Sequence, residues 1–397
     1  MGFLCYSEVE VMLFDGEDIG SFDVRSFVDR VFDGSQHSKR IDSIANAALG
    51  VISSGSLIVH RIGCGLAAAE GLIDKHAVKQ VDRLLSNKKF YIENSLQKWI
   101  AYAIGARKEI KVTMDWTDFD HDKQSTIMLS LVTKHGRATP LAWKTIDKNK
   151  LKNKRNNYED EVLLLLYNSI SRDVKVTIIA DRGFCDIKLF DFLKNELNFE
   201  YIIRMKSNIS VISSEGESRK AIDWVGIGGK TKTLRGTLIT ASKYAVPTVI
   251  CTKAKLMKQA WCIACSDPEI SGSMIVQWYA KRWGCETQFR DTKDLHFGMG
   301  LSSTRIRSKE KRDRILFIAA LSIAILTLLG AAGEAIGMDR HLKVNTVKKR
   351  TLSLFKQGCR FFRKLFKMPK KYSEPLLLQF NKEILNHAKL VKILGII

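Results

Sequence analysis

Proline is scarce in this chain, with only 5 residues among 397. Disordered, collagen-like and low-complexity proteins are excluded, because 45% of the residues are hydrophobic and Pro is rare. Acidic residues are also few: 42 Asp and Glu face 64 Lys and Arg, which leaves a formal net charge of +22. We therefore expect a globular protein of two or three domains. Its partner is a polyanion, with nucleic acid or an anionic membrane as the leading choices.

A disulfide framework is also absent, since the eight cysteines are scattered over a long chain. Cys262 and Cys265 form one C-x-x-C, but no second pair follows at zinc spacing. Trp261 before them, with Ile263 and Ala264 between them, indicates a buried strand. We expect core cysteines here and keep a metal or redox site as the alternative.

Charge is unevenly distributed along the chain. Residues 1–35 hold eight acids and two bases, which predicts no signal peptide and leaves the role of this acidic segment open. Residues 301–397 hold 21 bases and 6 acids. Within them, the run CRFFRKLFKMPKK interleaves cations with Phe, which suits a DNA backbone or a lipid surface equally.

One uncharged run is long enough to cross a membrane. It extends over 19 residues, from Ile315 to Gly333. A central helix buried on all sides has the same composition, and this run stands alone in a charged chain. We therefore expect a core helix and no membrane partner.

The hydrophobic period changes along the chain. Residues 38–100 show helical spacing, and from residue 108 the pattern alternates as in strands. Residues 206–270 predict an antiparallel β insertion, followed by a long helix from about Ser273 to Asp294. Between them we predict strands at Glu109–Asp115, Thr126–Thr133, Ala138–Ile146, Val174–Ala180 and Phe199–Met205, a hairpin turn at His135–Arg137, and helices at Asn157–Ser171 and Ile187–Leu197. This order predicts an α/β protein with a mixed sheet covered by helices.

Two acids are singled out by their position at strand ends. Asp115 ends the first predicted strand and Asp181 follows the fourth. Together with Glu286 they supply hard oxygen ligands of the kind that Mg²⁺ prefers, and two such ions would suit phosphoryl transfer. The alternative is that they are ordinary turn and cap residues. A separate set of nearby acids competes with Asp115 for the ligand role; it comprises Asp118, Asp120 and Asp122.

The helix around Glu286 strengthens the catalytic interpretation. Tyr279 and Lys293 each lie seven residues from Glu286, and Arg282 lies four before it, so all four share one helical face. The cations would hold phosphates beside a metal-binding carboxylate. An amphipathic basic helix with a salt bridge is the alternative.

Lys79 and Arg83 lie at i,i+4 on a second predicted helix, His76–Asn87. We expect this helix to contact DNA, although solvated cations on a helix are common.

At these residues the sequence resembles a known family. The pattern Y-x2-R-x3-E-x6-K, here YAKRWGCETQFRDTK, resembles the signature of DDE transposases of the insertion-sequence-four type, and most closely the insertion-sequence-ten branch. MDWTD and ADRGF resemble the two acidic motifs, with Asp115 and Asp181 as their Asp. HAVKQVDRLLSN and GLSSTRIRS resemble flanking segments, so the likeness covers about residues 35–355.

The resemblance implies a ribonuclease H-like catalytic core that performs cut-and-paste transposition through a hairpin intermediate. Two Mg²⁺ ions, for which Mn²⁺ can substitute, are held by Asp115, Asp181 and Glu286. Tyr279, Arg282 and Lys293 contact DNA phosphates. A flipped base stacks on an aromatic residue, for which the candidates are Trp116, Trp143 and Trp283. The alternative for each of the three is a structural role in the hydrophobic core.

The resemblance also implies the partners and the organisation of the chain. The DNA partners are the terminal inverted repeats and target DNA, which a homodimer binds. The protein is expected in the prokaryotic cytoplasm, in association with the nucleoid. The expected organisation is an acidic segment 1–35, a helical DNA-binding domain 36–107, a catalytic core 108–206 and 271–335, a β insertion 207–270 and a basic helical region 336–397. The rival interpretation is a catalytically silent, transposase-derived DNA-binding protein.

Overall fold

The computed structural model describes residue 19 and residues 21–255 and 257–395. Most of the acidic start of the chain, and Cys5 with it, therefore lies outside the described residues. The rest of the acidic segment is helical, since α1 covers Ser21–Phe32. Phe27, Val28 and Val31 bury one face of α1 in the main core. This part of the acidic segment thus belongs to the folded body.

A ten-stranded mixed sheet is the framework of the protein. Its strands are β1 (Glu109–Phe119), β2 (Gln124–Leu131), β3 (Thr139–Asp147), β4 (Lys175–Ala180), β5 (Glu200–Met205), β6 (Ser210–Ile212), β7 (Ser218–Lys220), β8 (Lys232–Ile239), β9 (Tyr244–Thr252) and β10 (Trp261–Cys265). They are ordered β3-β2-β1-β4-β5-β10-β9-β8-β6-β7. The first three strands are antiparallel, and β4 and β5 continue the sheet in parallel with β1.

The predicted β insertion does not form a separate sheet. Its strand β10 pairs antiparallel with β5, and β9, β8, β6 and β7 follow outward from it. Cys262 and Cys265 are buried in β10, as expected for core cysteines. The insertion therefore lengthens the sheet that carries the candidate acids.

Helices cover the sheet and surround one central helix. They are α2 (Ser38–Ser54), α3 (Val59–Glu70), α4 (Asp74–Ser86), α5 (Ile92–Ile104), α6 (Arg155–Asn168), α7 (Ile187–Asp191, continued by a π-helical turn at Phe192–Glu196), α8 (Gly272–Ala280), α9 (Trp283–Lys293), α10 (Lys309–Ala335), α11 (Leu354–Lys364), α12 (Lys370–Leu385) and α13 (His387–Leu394). The helices predicted within residues 38–100 are α2 to α5.

The long uncharged run forms the middle of α10. Within the described part of the chain, α10 is the one helix that is long and apolar enough by itself to cross a membrane. Helices α2 and α3, which meet at 94°, reach that length and composition only when they are counted together as one span. The apolar window of α10 is 89% buried within the protein, packed by α2, α5, α11, α12 and β3. This burial matches the expected core helix.

The crossing of α10 and α11 depends on two glycines. A Cβ at Gly358 would lie 1.8 Å from the carbonyl oxygen of Leu326, and a Cβ at Gly330 would lie 1.9 Å from that of Leu354. Only glycine permits this approach, so the two helix backbones touch. The contact fixes which face of α11 points outward.

Candidate active site

Two acids meet where the parallel pairing of β1 and β4 ends. The last paired residues are Met114 and Ala180, and Asp115 and Asp181 come directly after them. The prediction that Asp115 ends its strand is wrong, because β1 continues to Phe119. The hairpin partner β2 pairs with this extension, with Asp115 opposite Met128. The two acids still occupy neighbouring positions, because adjacent strands lie only about 4.8 Å apart.

Asp115 is a largely enclosed carboxylate with several donors. Its side chain is 19% exposed, and it accepts hydrogen bonds from the backbone of Trp116 at 2.9 Å and from the Cys285 thiol at 3.5 Å. Burial, joined by the negative charge of Asp181, raises the pKa of Asp115 to about 6 against the opposing charge of Arg282. Burial thus makes the charged form of Asp115 costly, and Arg282 supplies the nearby positive charge that offsets part of this cost.

Asp181 lies at the start of a short 3₁₀ turn, Arg182–Phe184. Its Oδ1 accepts a hydrogen bond from the backbone nitrogen of Gly183 at 2.7 Å. Asp181 thus caps this 3₁₀ turn, which is the alternative to a role as a metal ligand. It leaves the second carboxylate oxygen for another partner.

The predicted helix from Ser273 to Asp294 is wrong, because it is broken between α8 and α9. Across the break, Arg282, Gly284 and Cys285 donate their backbone bonds to the residue three positions earlier. This tightened turn lets the Gly284 carbonyl accept from the backbone nitrogen of Ala138 at 3.1 Å. The β2–β3 hairpin therefore sets where α9 begins.

Arg282 connects the two acids that come from different parts of the chain. Its Nη1 lies 3.1 Å from Asp115 Oδ2, and its Nη2 pairs with Glu286 Oε1. The i,i+4 salt bridge considered as an alternative therefore exists. It also extends to β1, so Asp115, Arg282 and Glu286 form one cluster, which we call the Arg282 cluster.

The other two signature residues, Lys293 and Tyr279, make different contacts. Lys293 Nζ donates to Thr117 Oγ1 at 3.0 Å and lies 4.8 Å from the centre of the Phe119 ring. Tyr279 is buried against Trp261, with ring centres 4.8 Å apart, and burial raises the pKa of its hydroxyl. Lys293 thus lies beside the outer half of β1, whereas Tyr279 belongs to a hydrophobic cluster on the β5–β10 side.

The nearby acids have partners of their own. Asp118 accepts from Ser125 at 2.7 Å and pairs with Lys148, which also binds Asp120. Asp122 pairs with the buried Arg312. In the described part of the chain, no three His, Cys, Asp or Glu side chains converge closely enough to hold a metal ion. Asp115, Asp181 and Glu286 are therefore near one another without forming a preassembled cage.

The three tryptophans lie in different surroundings. Trp143 is a core residue whose Nε1 donates to the Asp313 carbonyl at 3.2 Å. Trp116 is half-buried, and its Nε1 donates to Glu159 at 2.8 Å. Trp283 is 64% exposed and adjoins Arg282. Among the three candidates, Trp283 has the ring that is open to a ligand.

Lys79 and Arg83 lie on α4, away from the acids. They line a groove of about 910 Å³ between α4 and the start of α2. Lys39, Arg40 and Lys75 also line this groove. The sequence did not indicate them, because Lys39 and Arg40 belong to α2 and Lys75 to the first turn of α4. Cys285 was also missed, since no pattern marks a thiol beside Asp115. The role of Lys79 and Arg83 in DNA contact stays a prediction.

A mixed sheet with helices on its faces, and with acids at the end of the β1–β4 pairing, defines the ribonuclease H-like class of α/β proteins. The family model described as "Transposase DDE domain" matches residues 107–325, which is more than half of the chain. The chain belongs to this family and is a DNA-binding DDE transposase. No curated protein matches the chain.

Proposed function

We propose that the protein is a cut-and-paste transposase of the insertion-sequence-four type, insertion-sequence-ten branch. In this proposal a homodimer binds the terminal inverted repeats of its own element, nicks their ends through a hairpin intermediate and joins them to target DNA. Its setting is the prokaryotic cytoplasm, in association with the nucleoid. The observation that carries the proposal is the Arg282 cluster, which joins two candidate ligands within the matched domain.

The donor set fits a hard divalent cation. Asp115, Asp181 and Glu286 offer carboxylate oxygens of the kind that such ions prefer. Burial, with a smaller contribution from the negative charge of Asp181, raises the pKa of Asp115. The positive charge that opposes this shift comes from Arg282. When bound, Mg²⁺ or Mn²⁺ would activate water and stabilise charge in phosphoryl transfer.

The cations of the chain would position the DNA. Arg282 has a planar guanidinium that can hold a phosphate by two parallel hydrogen bonds, and Lys293 adds a point charge about two helix turns beyond Glu286. Tyr279 is buried, and its hydroxyl interacts with Arg282, so we expect it to act on DNA phosphates mainly by holding Arg282 in place. Trp283 is placed to stack on a flipped base, since its ring is exposed beside Arg282.

One observation favours the rival, catalytically silent protein. Arg282 engages both Asp115 and Glu286 in the described structure, as a structural salt bridge would. The two proposals differ in whether these carboxylates can exchange Arg282 for a metal ion.

The deciding experiment is strand cleavage of a plasmid that carries the ends of the element, in Mg²⁺, by wild type and Glu286→Gln. We expect wild type to cleave, and Glu286→Gln to lose at least about a thousandfold in rate while it still binds the DNA, because a metal ligand is lost and the positive surface is kept. The exposed Glu215 on the insertion provides the matched control, and Glu215→Gln should cleave at the wild-type rate.

Equal cleavage by wild type and Glu286→Gln would show that Glu286 is not a ligand. Binding without cleavage by wild type, on ends confirmed to be those of its element, would favour the silent protein.

A further inference from the structure

The C-terminal region carries a long segment of one charge sign. Residues 340–373 contain twelve Lys and Arg and no Asp or Glu. Two acids that precede this segment, Glu334 and Asp339, pair with Arg350 and Lys343. Most of the positive charge is therefore uncompensated within the segment. This segment lies outside the matched domain and outside the Arg282 cluster.

Helix α11 presents part of that charge as one surface. Arg360, Arg363 and Lys364 are exposed on α11, and Lys367 is exposed on the short 3₁₀ turn that follows. None of these four pairs with an acid among the described residues. We call them the cationic face. Because Gly330 and Gly358 bring the backbones of α10 and α11 into contact, this face is held outward.

The apolar side of α11 is already used inside the protein. Phe355, Phe361 and Phe362 are buried, and Phe355 and Phe361 are among the largest fully enclosed side chains. A helix that binds a membrane surface inserts its apolar face between lipids. Among the residues of α11 and the 3₁₀ turn after it, only Phe366, 72% exposed, remains for such insertion. The structure thus favours a phosphate backbone over a lipid surface.

The buried side of α11, opposite the cationic face, lies near α9, the helix that carries Glu286. Phe355 of α11 and Asp291 of α9 line the same small cavity, and Lys356 is near enough to oppose the burial that raises the pKa of Asp291. Asp291 lies on the side of α9 that packs into the body, whereas Glu286 is more exposed. DNA on the cationic face would therefore lie on the outer side of α11, away from the side that faces α9, and would not occupy the Arg282 cluster.

We propose that the cationic face is a second DNA-binding surface, which holds the phosphate backbone of a duplex without reading its sequence. This inference goes beyond the proposed function and takes from it only the premise that DNA is the partner. Each phosphate that a cation neutralises contributes about 0.9 to the slope of log affinity against log salt concentration.

The test compares two sets of four neutralised cations in the full chain. One variant carries Arg360→Gln, Arg363→Gln, Lys364→Gln and Lys367→Gln. Its control carries Lys220→Gln, Lys230→Gln, Lys232→Gln and Lys243→Gln, four exposed lysines on the insertion. Affinity for a 30-base-pair duplex of unrelated sequence is measured by fluorescence anisotropy from about 50 to 200 mM salt. We expect the magnitude of the slope to fall by up to about 3.6 in the first variant and to stay at the wild-type value in the control.

A second measurement uses the wild type alone. Lysine acetylation read by mass spectrometry should show Lys364 and Lys367 protected by the same duplex, with Lys220 and Lys232 unprotected. This measurement tests DNA contact with the cationic face even if the variant with four substitutions folds poorly. The lipid alternative is tested by sedimentation with phosphatidylserine vesicles.

Several results would overturn the inference. They are equal slopes for the two variants, unprotected lysines on α11, or vesicle binding that depends on the cationic face while the DNA slope does not change. Failure of the wild type to bind any duplex would instead remove the DNA premise, and the proposed function with it.

Discussion

Two arginines join β1, or the turn that follows it, to a helix, and they do so in contrasting surroundings. Arg312 is fully buried and pairs with Asp122; its Nε donates to Gln124 at 2.6 Å, and its guanidinium lies 3.8 Å from the Phe119 ring centre. We call this set the Arg312 cluster. Arg282, with a side chain 15% exposed, instead divides its guanidinium between Asp115 and Glu286.

The difference lies in what could replace each arginine. In the Arg312 cluster the partner acid is 5% exposed, and its Oδ2 also accepts from the backbone of Ile306 at 3.2 Å. Both side chains of this pair are therefore closed off from solvent. In the Arg282 cluster Glu286 is 35% exposed and Asp181 lies close by, so a cation from solvent can compete for the carboxylates. Similar salt bridges can therefore be structural in one place and exchangeable in another.

The largest expected effect breaks the Arg312 cluster. Arg312→Met should lower the free energy of unfolding by about 3–5 kcal/mol, because it leaves the Asp122 carboxylate buried without its cation. Urea unfolding followed by circular dichroism measures this change. The matched control is Lys311→Met, since Lys311 is next in the chain and pairs with the half-exposed Asp82. That control should lose no more than about 1 kcal/mol.

A double change sharpens the same point. Asp122→Leu combined with Arg312→Met removes both charges and should recover much of the lost stability. If Arg312→Met alone costs less than about 1 kcal/mol, the Arg312 cluster is not the structural member of the comparison.

A smaller effect concerns Asp313, the next residue on α10. Its carboxylate accepts from the Thr145 backbone nitrogen at 3.0 Å, and burial raises its pKa to about 7. The unfolded chain has the ordinary value near 3.8, so between about pH 4 and 7 the folded state binds more protons. The free energy of unfolding contributed by Asp313 therefore falls as pH rises through that window.

Asp313→Asn keeps the acceptor oxygen and removes the charge. It should equal wild type near pH 4 and exceed it at pH 8 by about 2–4 kcal/mol, measured by urea unfolding at each pH. Asp223→Asn, on an exposed part of the insertion, should show no such trend. A constant difference between Asp313→Asn and wild type across pH would mean that Asp313 is not buried as an acid.

Local patterns predicted the strands and the close approach of Arg282 to Glu286, because both depend on short-range periodicity. They missed the break at Lys281 and Arg282, since it depends on the distant hairpin residue Ala138, which binds the Gly284 carbonyl. They also missed that β1 extends beyond Asp115, because the extension is stabilised by pairing with β2. The link from Arg282 to Asp115 spans 167 residues, and no local pattern encodes it.

The smallest expected effect tests whether the Arg282 cluster exchanges its cation. Arg282→Gln should raise the affinity of the DNA-free protein for Mn²⁺ roughly tenfold, since charge-assisted hydrogen bonds of about 1.5–3 kcal/mol no longer compete for the carboxylates. Free Mn²⁺ is measured by electron paramagnetic resonance during titration. Lys281→Gln is the control, because it removes an equal charge one residue away, where the ammonium lies over the Trp278 ring and pairs with no acid among the described residues.

The outcomes separate the two ideas behind this prediction. If Arg282→Gln and Lys281→Gln raise Mn²⁺ affinity equally, the effect is general electrostatics and Arg282 holds no special place. If Arg282→Gln binds Mn²⁺ less tightly than wild type, Arg282 positions the acids as Arg312 positions Asp122, and the contrast between the clusters is lost. If neither wild type nor variant binds Mn²⁺, with or without DNA, the carboxylates are not a metal site. A rise confined to Arg282→Gln would show that Arg282 and the metal ion compete for the same carboxylates in the DNA-free protein.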